Sequence, residues 1–134
     1  MSESAIIKAM TTFFSTCVVY VFGGFDMVFK VLLLFMALDC LSGLMKAYKT
    51  KELSSKVGWD GLMKKVGTLI AVIVAHQMDK ISPVDSQAFR TIVITFFTAN
   101  EAISITENLA ILGVPIPKVM KQALKTWKDK TGVE

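Results

Sequence analysis

Apolar residues fall along this chain in long blocks rather than in a one-sided helical stripe. Three blocks, at residues 25–48, 62–81 and 88–112, are long enough to predict transmembrane helices. A fourth block, at residues 5–22, is diluted by Lys8 and several hydroxyl side chains. This block predicts an N-terminal helix that either forms a fourth span or lies flat at the membrane interface.

The segment 113–134 follows the last block and begins with "GVPIP", whose glycine and prolines end a helix. At helical spacing one side of this tail is apolar and includes Leu124 and Trp127. The other side is basic and consists of Lys118, Lys121, Lys125 and Lys128. We therefore predict an amphipathic basic helix on the anionic cytoplasmic leaflet, because Leu124 and Trp127 would otherwise be exposed. A solvated charged tail is the alternative.

Composition supports a membrane protein. The chain has 134 residues, 53% of them hydrophobic and 19% charged, with a mean hydropathy of +0.55. A soluble domain of this length needs more polar surface than that. We predict an all-α integral membrane protein in which residues 1–134 form a single membrane domain. The net charge of +4 comes almost entirely from lysines beside the apolar blocks, and no nucleic-acid-binding motif accompanies them.

The distribution of lysines predicts the orientation of the spans in the membrane. The central loop, 46–65, and the tail after Gly113 are rich in lysine, whereas the 81–88 turn has few basic residues. By the positive-inside rule, the loop and the C-terminus are expected in the cytoplasm and the turn outside. A spanning N-terminal helix would start on the cytoplasmic side.

Polar side chains inside the predicted spans form stripes. Those of the last span lie within an arc of about 120° and are Asn100, Glu101, Ser104, Glu107 and Asn108. The corresponding residues of the other two spans are Asp39, Ser42, Gly43, Lys46, Lys64, Lys65 and Asp79. A lone charge at the bilayer centre costs on the order of 2.5–3.5 kcal/mol on insertion scales, so these stripes are expected to face protein or water.

Two interpretations of the stripes remain open from the residues alone. In one, they hold helices together, with Glu107 paired to Lys64 or Lys65 and Asp39 paired to Lys46. In the other, they line an aqueous path after the chain has self-associated.

No constellation typical of an enzyme, a cofactor site or a metal site appears in the sequence. We therefore expect no catalytic residue, no cofactor and no metal. Cys17 and Cys40 lie in apolar segments and are interpreted as buried thiols that act as small hydrophobic residues. His76 has no second histidine at ligand spacing and is interpreted as a satisfied histidine between helices.

Several motifs occur together in one order: "GGFD", "LDCLSGLMKAYKTKELSS", "GWDGLMKKVG", "HQMD" and "NEAISITENLAILGVPIPKVM". This combination resembles the phage-lysis and toxin-secretion holin family over about residues 23–124. The polar positions above match the motifs of that family, except that "GLMKK" stands where an Arg-Lys pair is common. The resemblance implies a small bacteriophage protein of the host cytoplasmic membrane that forms homo-oligomers. It also implies lesions through which an endolysin or a toxin passes, and hence host lysis.

Two other functions are compatible with a small multi-span protein. One is a proton-coupled multidrug transporter, which needs one dominant carboxylate and an aromatic-lined chamber. The ionisable groups here are spread over three spans and the aromatic residues are dispersed. The other is a small ion channel. The holin hypothesis predicts that the stripes stay hidden while the chain is dilute and face shared water when many copies gather.

Overall fold

The computed structural model describes residues 2–84 and 86–132, and the secondary structure of these residues is entirely helical. Its five helices are α1 (Glu3–Phe22), α2 (Met27–Thr50), α3 (Ser55–Ile81), α4 (Ala88–Leu112) and α5 (Lys118–Thr131). The predicted all-α fold is therefore confirmed. The largest difference lies in α3, which begins seven residues before the predicted span, at Ser55 instead of residue 62.

Local sequence explains where the helices begin and end. Gly23 and Gly113 follow α1 and α4 with φ of 80° and 90°, a left-handed conformation that glycine adopts without steric strain. Asp26 caps α2, because its carboxylate accepts a hydrogen bond from the backbone N–H of Phe29 at 3.2 Å. The loops between helices are short. α2 and α4 run parallel, because Asp26 contacts Arg90 and Ser42 contacts Asn108. α3 runs antiparallel to α4, because Asp79 contacts Arg90 and Lys65 contacts Glu101.

The helices pack around α4, which lies against α2, α3 and α5, while α1 contacts α3. The core is small and consists of Phe29, Leu32, Met36, Val72 and Ile94. None of the residues of α1 or α5 is buried. Large apolar side chains remain exposed along every helix. A surface of this kind is typical of a chain that is covered by lipid or by other copies.

Within residues 2–84 and 86–132, three helices are long and apolar enough to cross a membrane, namely α1, α2 and α4. The N-terminal helix therefore has the length and composition of a span. α3, which the sequence predicts as a span, is not among the three. The reason is its polar content, since Lys65, His76 and Asp79 are all buried side chains of this helix. Its crossing of the membrane stays a prediction.

Both cysteines are free and exposed, so the prediction that they are buried is wrong. Cys17 lies on α1 and Cys40 on α2, on sides of these helices that no neighbouring helix covers.

Candidate functional site

The middle of the helix bundle contains a buried ionic cluster. The ammonium nitrogen of Lys65 on α3 lies 2.8 Å from a carboxylate oxygen of Asp39 on α2 and 2.6 Å from one of Glu101 on α4. The three side chains are only 11%, 19% and 12% exposed, in that order. One cation therefore pairs with two carboxylates that come from different helices. We call Asp39, Lys65 and Glu101 the central triad.

Amide and hydroxyl groups complete the central triad on its α2–α4 side. Asn108 donates hydrogen bonds to the second carboxylate oxygen of Asp39 at 3.3 Å and to the hydroxyl of Ser42 at 3.0 Å. The Ser42 hydroxyl donates in turn to the backbone carbonyl of Asp39 at 3.2 Å. A Cβ atom on Gly43 would lie 3.8 Å from the Asn108 amide nitrogen, an ordinary van der Waals distance, so Gly43 lies next to this amide. The polar stripes of α2 and α4 thus face each other.

The observed ion pairs differ from the expected ones. Asp39 pairs with Lys65 instead of Lys46, and Glu107 pairs with neither Lys64 nor Lys65. The cause is the early start of α3. Lys65 lies ten residues after Ser55 and hence about 15 Å along the helix, level with the midpoints of its neighbours. Lys64 points away from the cluster and is exposed, and Lys46 forms no hydrogen bond or ion pair through its side chain within the described residues.

The remaining polar residues of α4 lie outside the central triad. Glu107 is exposed and its carboxylate lies 3.0 Å from the ammonium of Lys128 on α5. Asn100 is half-buried, and its side-chain oxygen is enclosed without a hydrogen-bond partner among the described residues. Ser104 is half-buried as well. The single stripe predicted for this span therefore serves two neighbours, the α2–α3 side and α5.

The basic tail lies against α4 in the isolated chain. The rings of Trp127 and Phe96 have centroids 6.4 Å apart, and both Trp127 and Leu124 are half-buried. The expectation that these two apolar residues would be exposed without a membrane is therefore wrong. The lysines at the start and middle of the tail, Lys118, Lys121 and Lys125, are exposed. The predicted contact of the tail with the anionic leaflet stays a prediction.

A second ionic cluster lies at the end of the bundle where α4 begins, and it was not predicted from the sequence. Arg90 is fully buried and its guanidinium lies 2.8 Å and 3.0 Å from the two carboxylate oxygens of Asp26. The same guanidinium donates to the backbone carbonyls of Phe22 and, at 3.1 Å, Gly24. Arg90 therefore fastens the α1–α2 loop to the start of α4. The hydrogen bond from Arg90 lowers the pKa of Asp26 below its usual value.

Asp79 belongs to this outer cluster and not to the central triad. Its carboxylate accepts hydrogen bonds from the backbone N–H groups of Phe89 at 3.0 Å and Arg90 at 2.8 Å. It thereby satisfies donors in the first turn of α4, which have no partner inside the helix. The sequence offered one signal for this cluster, because Arg90 is the only arginine in the chain and "GGFD" contains a carboxylate beside two glycines.

His76 lies in the same region, packed on the end of α1. A Cβ atom on Gly23 would lie 2.5 Å from the Nδ1 atom of His76. That Nδ1 atom is buried and has no hydrogen-bond partner among the described residues, so the prediction of a satisfied histidine is wrong. Lys80 joins the same two helices, donating to the carbonyl of Tyr20 at 3.1 Å and lying 3.8 Å from its ring centroid.

Neither ionic cluster has the arrangement of a metal site. Within residues 2–84 and 86–132, no group of three or more His, Cys, Asp or Glu side chains is placed to hold a metal ion. What the two clusters do is neutralise charge between helices: every carboxylate in them accepts from a cation or from backbone N–H groups.

Comparisons with known proteins agree with the features of the chain. The model of the bacteriophage holin family matches residues 16–129. An uncharacterized protein of Clostridium perfringens is 41% identical over 128 residues, which are 96% of this chain and 95% of that protein. An uncharacterized protein of Bacillus subtilis is 39% identical over 113 residues, 84% of this chain and 79% of the relative.

A relative from a phage has a functional name. The probable holin of Bacillus phage phi105 is 39% identical over 106 residues, 78% of this chain and 76% of that protein. No solved structure matches the chain. The three apolar helices and the family match identify a membrane protein, and the family is not one of enzymes. The chain belongs to the bacteriophage holin family.

Proposed function

We propose that this protein is a holin that self-associates in the bacterial cytoplasmic membrane and opens lesions through which an endolysin reaches the cell wall. A secreted toxin is the other cargo compatible with this mechanism. The family match and the phage relative named a probable holin support the assignment. The observation that carries the mechanism is the central triad, because it holds three ionisable groups at mid-helix and pairs them within one chain.

Before lysis a holin needs a closed state that is compatible with the membrane. The central triad is consistent with such a state. A lone charge at the bilayer centre costs on the order of 2.5–3.5 kcal/mol. Asp39, Lys65 and Glu101 reduce that cost by pairing. With all three groups ionised, two carboxylates and one ammonium leave a formal charge of −1. This uncompensated charge favours any arrangement that brings water or another cation to the cluster.

We place the central loop and the C-terminus in the cytoplasm, in accordance with the lysines that flank them. In this orientation the Arg90 cluster lies at the external end, where α1 ends and α4 begins. With α1 as a fourth span, the N-terminus is cytoplasmic as well.

Lesion formation then follows from surface density. Dilute chains hide the central triad between α2, α3 and α4. As copies gather, contacts between chains replace those within the chain, and the polar faces of α2 and α4 turn toward a shared lumen where hydration offsets the cost of their charges. Collapse of the membrane potential acts on the same charges and biases opening further.

The test is induced expression in a bacterial strain together with an endolysin that has no export signal. Abrupt lysis with release of a cytoplasmic marker enzyme is expected. Drug resistance without lysis would support the transporter, and graded ion leak without protein release would support the channel; either result overturns the proposal.

A pair of matched variants tests the part played by the central triad. Glu101→Gln removes a buried carboxylate of the triad, whereas Glu3→Gln makes the same chemical change at an exposed position. At equal accumulation in the membrane, Glu101→Gln should shift the time of lysis and Glu3→Gln should not. Combining Glu101→Gln with Glu107→Gln extends the test to the second carboxylate of α4. Unchanged timing in both Glu101 variants would contradict the aqueous-lumen mechanism.

A further inference from the structure

The tail helix α5 covers one particular face of α4. Phe96, Asn100, Ile103 and Glu107 follow one another at intervals of four, three and four residues, so they share one side of the helix. At one end of this side Phe96 contacts Trp127, and at the other Glu107 pairs with Lys128. We call these four residues the α4 face.

The contact between α5 and the α4 face is loosely packed. An open crevice of about 260 Å³ remains between the two helices, next to Ile103, Ala110 and Leu124. Because this crevice is open to the surface, the side chains on its two sides do not make van der Waals contact across it.

Hydrogen bonding is incomplete in the same contact. The indole N–H of Trp127 and the side-chain oxygen of Asn100 are both buried, and neither has a hydrogen-bond partner among the described residues. A buried donor or acceptor without a partner opposes the burial that encloses it. The one ion pair of the contact is exposed, with side-chain exposures of 34% for Lys128 and 59% for Glu107, so it contributes little.

The connection between the two helices allows α5 to leave as a unit. Residues 113–117 contain Gly113 in a left-handed conformation and two prolines, which prevent α4 and α5 from merging into one helix. Among the described helices, α5 packs against α4.

We propose that α5 is a releasable clasp over the α4 face, and that the α4 face is a surface on which a second copy of this chain docks. Lipid is a poor replacement for α5, because Asn100 and Glu107 are costly groups in hydrocarbon. A second copy is a suitable one, because the chain has a net charge of +4 and offers lysines to Glu107. This proposal rests on the proposed function in one respect: release of α5 is taken to permit the assembly of copies that precedes lysis.

Charge reversal tests the clasp by measuring self-association. Chains with the donor or acceptor dye at Ser2 are reconstituted in vesicles at fixed protein-to-lipid ratio, and energy transfer reports association. Lys128→Glu should strengthen association about two- to fivefold, the range expected when an exposed ion pair is lost. Glu107→Lys combined with Lys128→Glu restores the pair with reversed charges and should return association to the wild-type level or below. Lys118→Glu makes the same change of charge in α5 at an exposed lysine away from this contact and should have no effect.

A covalent lock provides a second test that does not depend on weak electrostatics. Cys17 and Cys40 are replaced by serine, cysteines are introduced at Glu107 and Lys128, and a cleavable bis-maleimide joins them. The locked chain should stay monomeric in vesicles and should associate after the linker is cleaved. Association of the locked chain to the wild-type extent, or an effect of Lys128→Glu no larger than that of Lys118→Glu, would overturn the clasp. Failure of the wild-type chain to release endolysin would instead refute the proposed function. The association measurements would still show whether α5 blocks the α4 face.

Discussion

Replacement of Lys65 is the sharpest perturbation that the central triad allows. Lys65→Met keeps a long flexible side chain of similar volume but removes the only cation of the described residues that lies within hydrogen-bond distance of Asp39 and Glu101. The neighbouring variant Lys64→Met makes the same chemical change one residue away, on the exposed side of α3. The two variants therefore differ in whether the lost cation is paired and buried.

The expected magnitude follows from the burial of the partners. Asp39 and Glu101 are 19% and 12% exposed, so water screens them poorly once Lys65 is gone. Breaking a buried pair by removing one partner costs about 3–5 kcal/mol, because the other charge stays buried. Asn108 continues to donate to Asp39, which offsets part of the loss. We expect Lys65→Met to lower the free energy of unfolding by about 3 kcal/mol, whereas Lys64→Met should change it by less than about 0.5 kcal/mol.

The measurement is unfolding of the purified chain in detergent micelles by added denaturing detergent, followed by the fluorescence of Trp59 and Trp127. These two residues lie on α3 and α5 and are the only tryptophans of the chain. Helix content in the absence of denaturant confirms that each variant starts from a folded state.

Neutralising the carboxylates provides the decisive comparison. In the triple variant Lys65→Met, Asp39→Asn and Glu101→Gln, no charge of the central triad remains, and most of the lost stability should return. If Lys65→Met is no less stable than Lys64→Met, the central triad does not hold the helices together. If Lys65→Met is destabilised but the triple variant is no better, packing of the lysine stem and not its charge explains the loss.

Three further predictions concern the end of the bundle that contains Arg90. Gly23→Ala and Gly113→Ala both add strain of about 1–2 kcal/mol at positive φ. Gly23→Ala should lower the free energy of unfolding further, because only its Cβ atom would lie 2.5 Å from His76. Adding His76→Ala to Gly23→Ala should remove this difference. Arg90→Lys should lower the free energy of unfolding by about 2–3 kcal/mol. One ammonium cannot replace both the bidentate ion pair with Asp26 and the hydrogen bonds to two backbone carbonyls. The lowered pKa of Asp26 means that its stabilising effect is complete above about pH 4 and is lost as the pH falls through that lowered value. The unfolding midpoint of the wild type should consequently fall more steeply below that pH than that of Asp26→Asn.

Much of the fold was predictable because it depends on local signals. Blocks of apolar residues and the breaks at Gly23 and Gly113 predict α1, α2 and α4, and the bounds of α4 agree with the prediction. The start of α3 was missed because residues 55–61 include a serine, a lysine, an aspartate and two glycines, and a hydropathy criterion detects the apolar part of a helix but not a less apolar extension of it.

The partners of the charged groups were not predictable for a related reason. A helical wheel shows which residues of one helix share a face, but the pairing of Asp39 with Lys65 depends on the offset between two helices. An error of seven residues in the start of α3 corresponds to about 10 Å along the axis. That shift is enough to move Lys65 from the membrane interface to the level of Glu101. Long-range contacts of Arg90 with backbone carbonyls leave no sequence pattern at all, since any residue supplies a carbonyl.

The two ionic clusters resist separation to different degrees, and the difference bears on how the bundle opens. Arg90 is fully buried and bonds two backbone carbonyls as well as Asp26, so neutralising a single side chain leaves part of this attachment in place. The central triad consists of side chains only, and water that reaches Lys65 replaces each of its bonds. Water entry therefore weakens the middle of the bundle before the end that Arg90 holds. Under the proposed lesion mechanism, an opening in which the helices separate from the end that carries residues 51–54, while the loops around Arg90 stay joined, requires the fewest buried bonds to break.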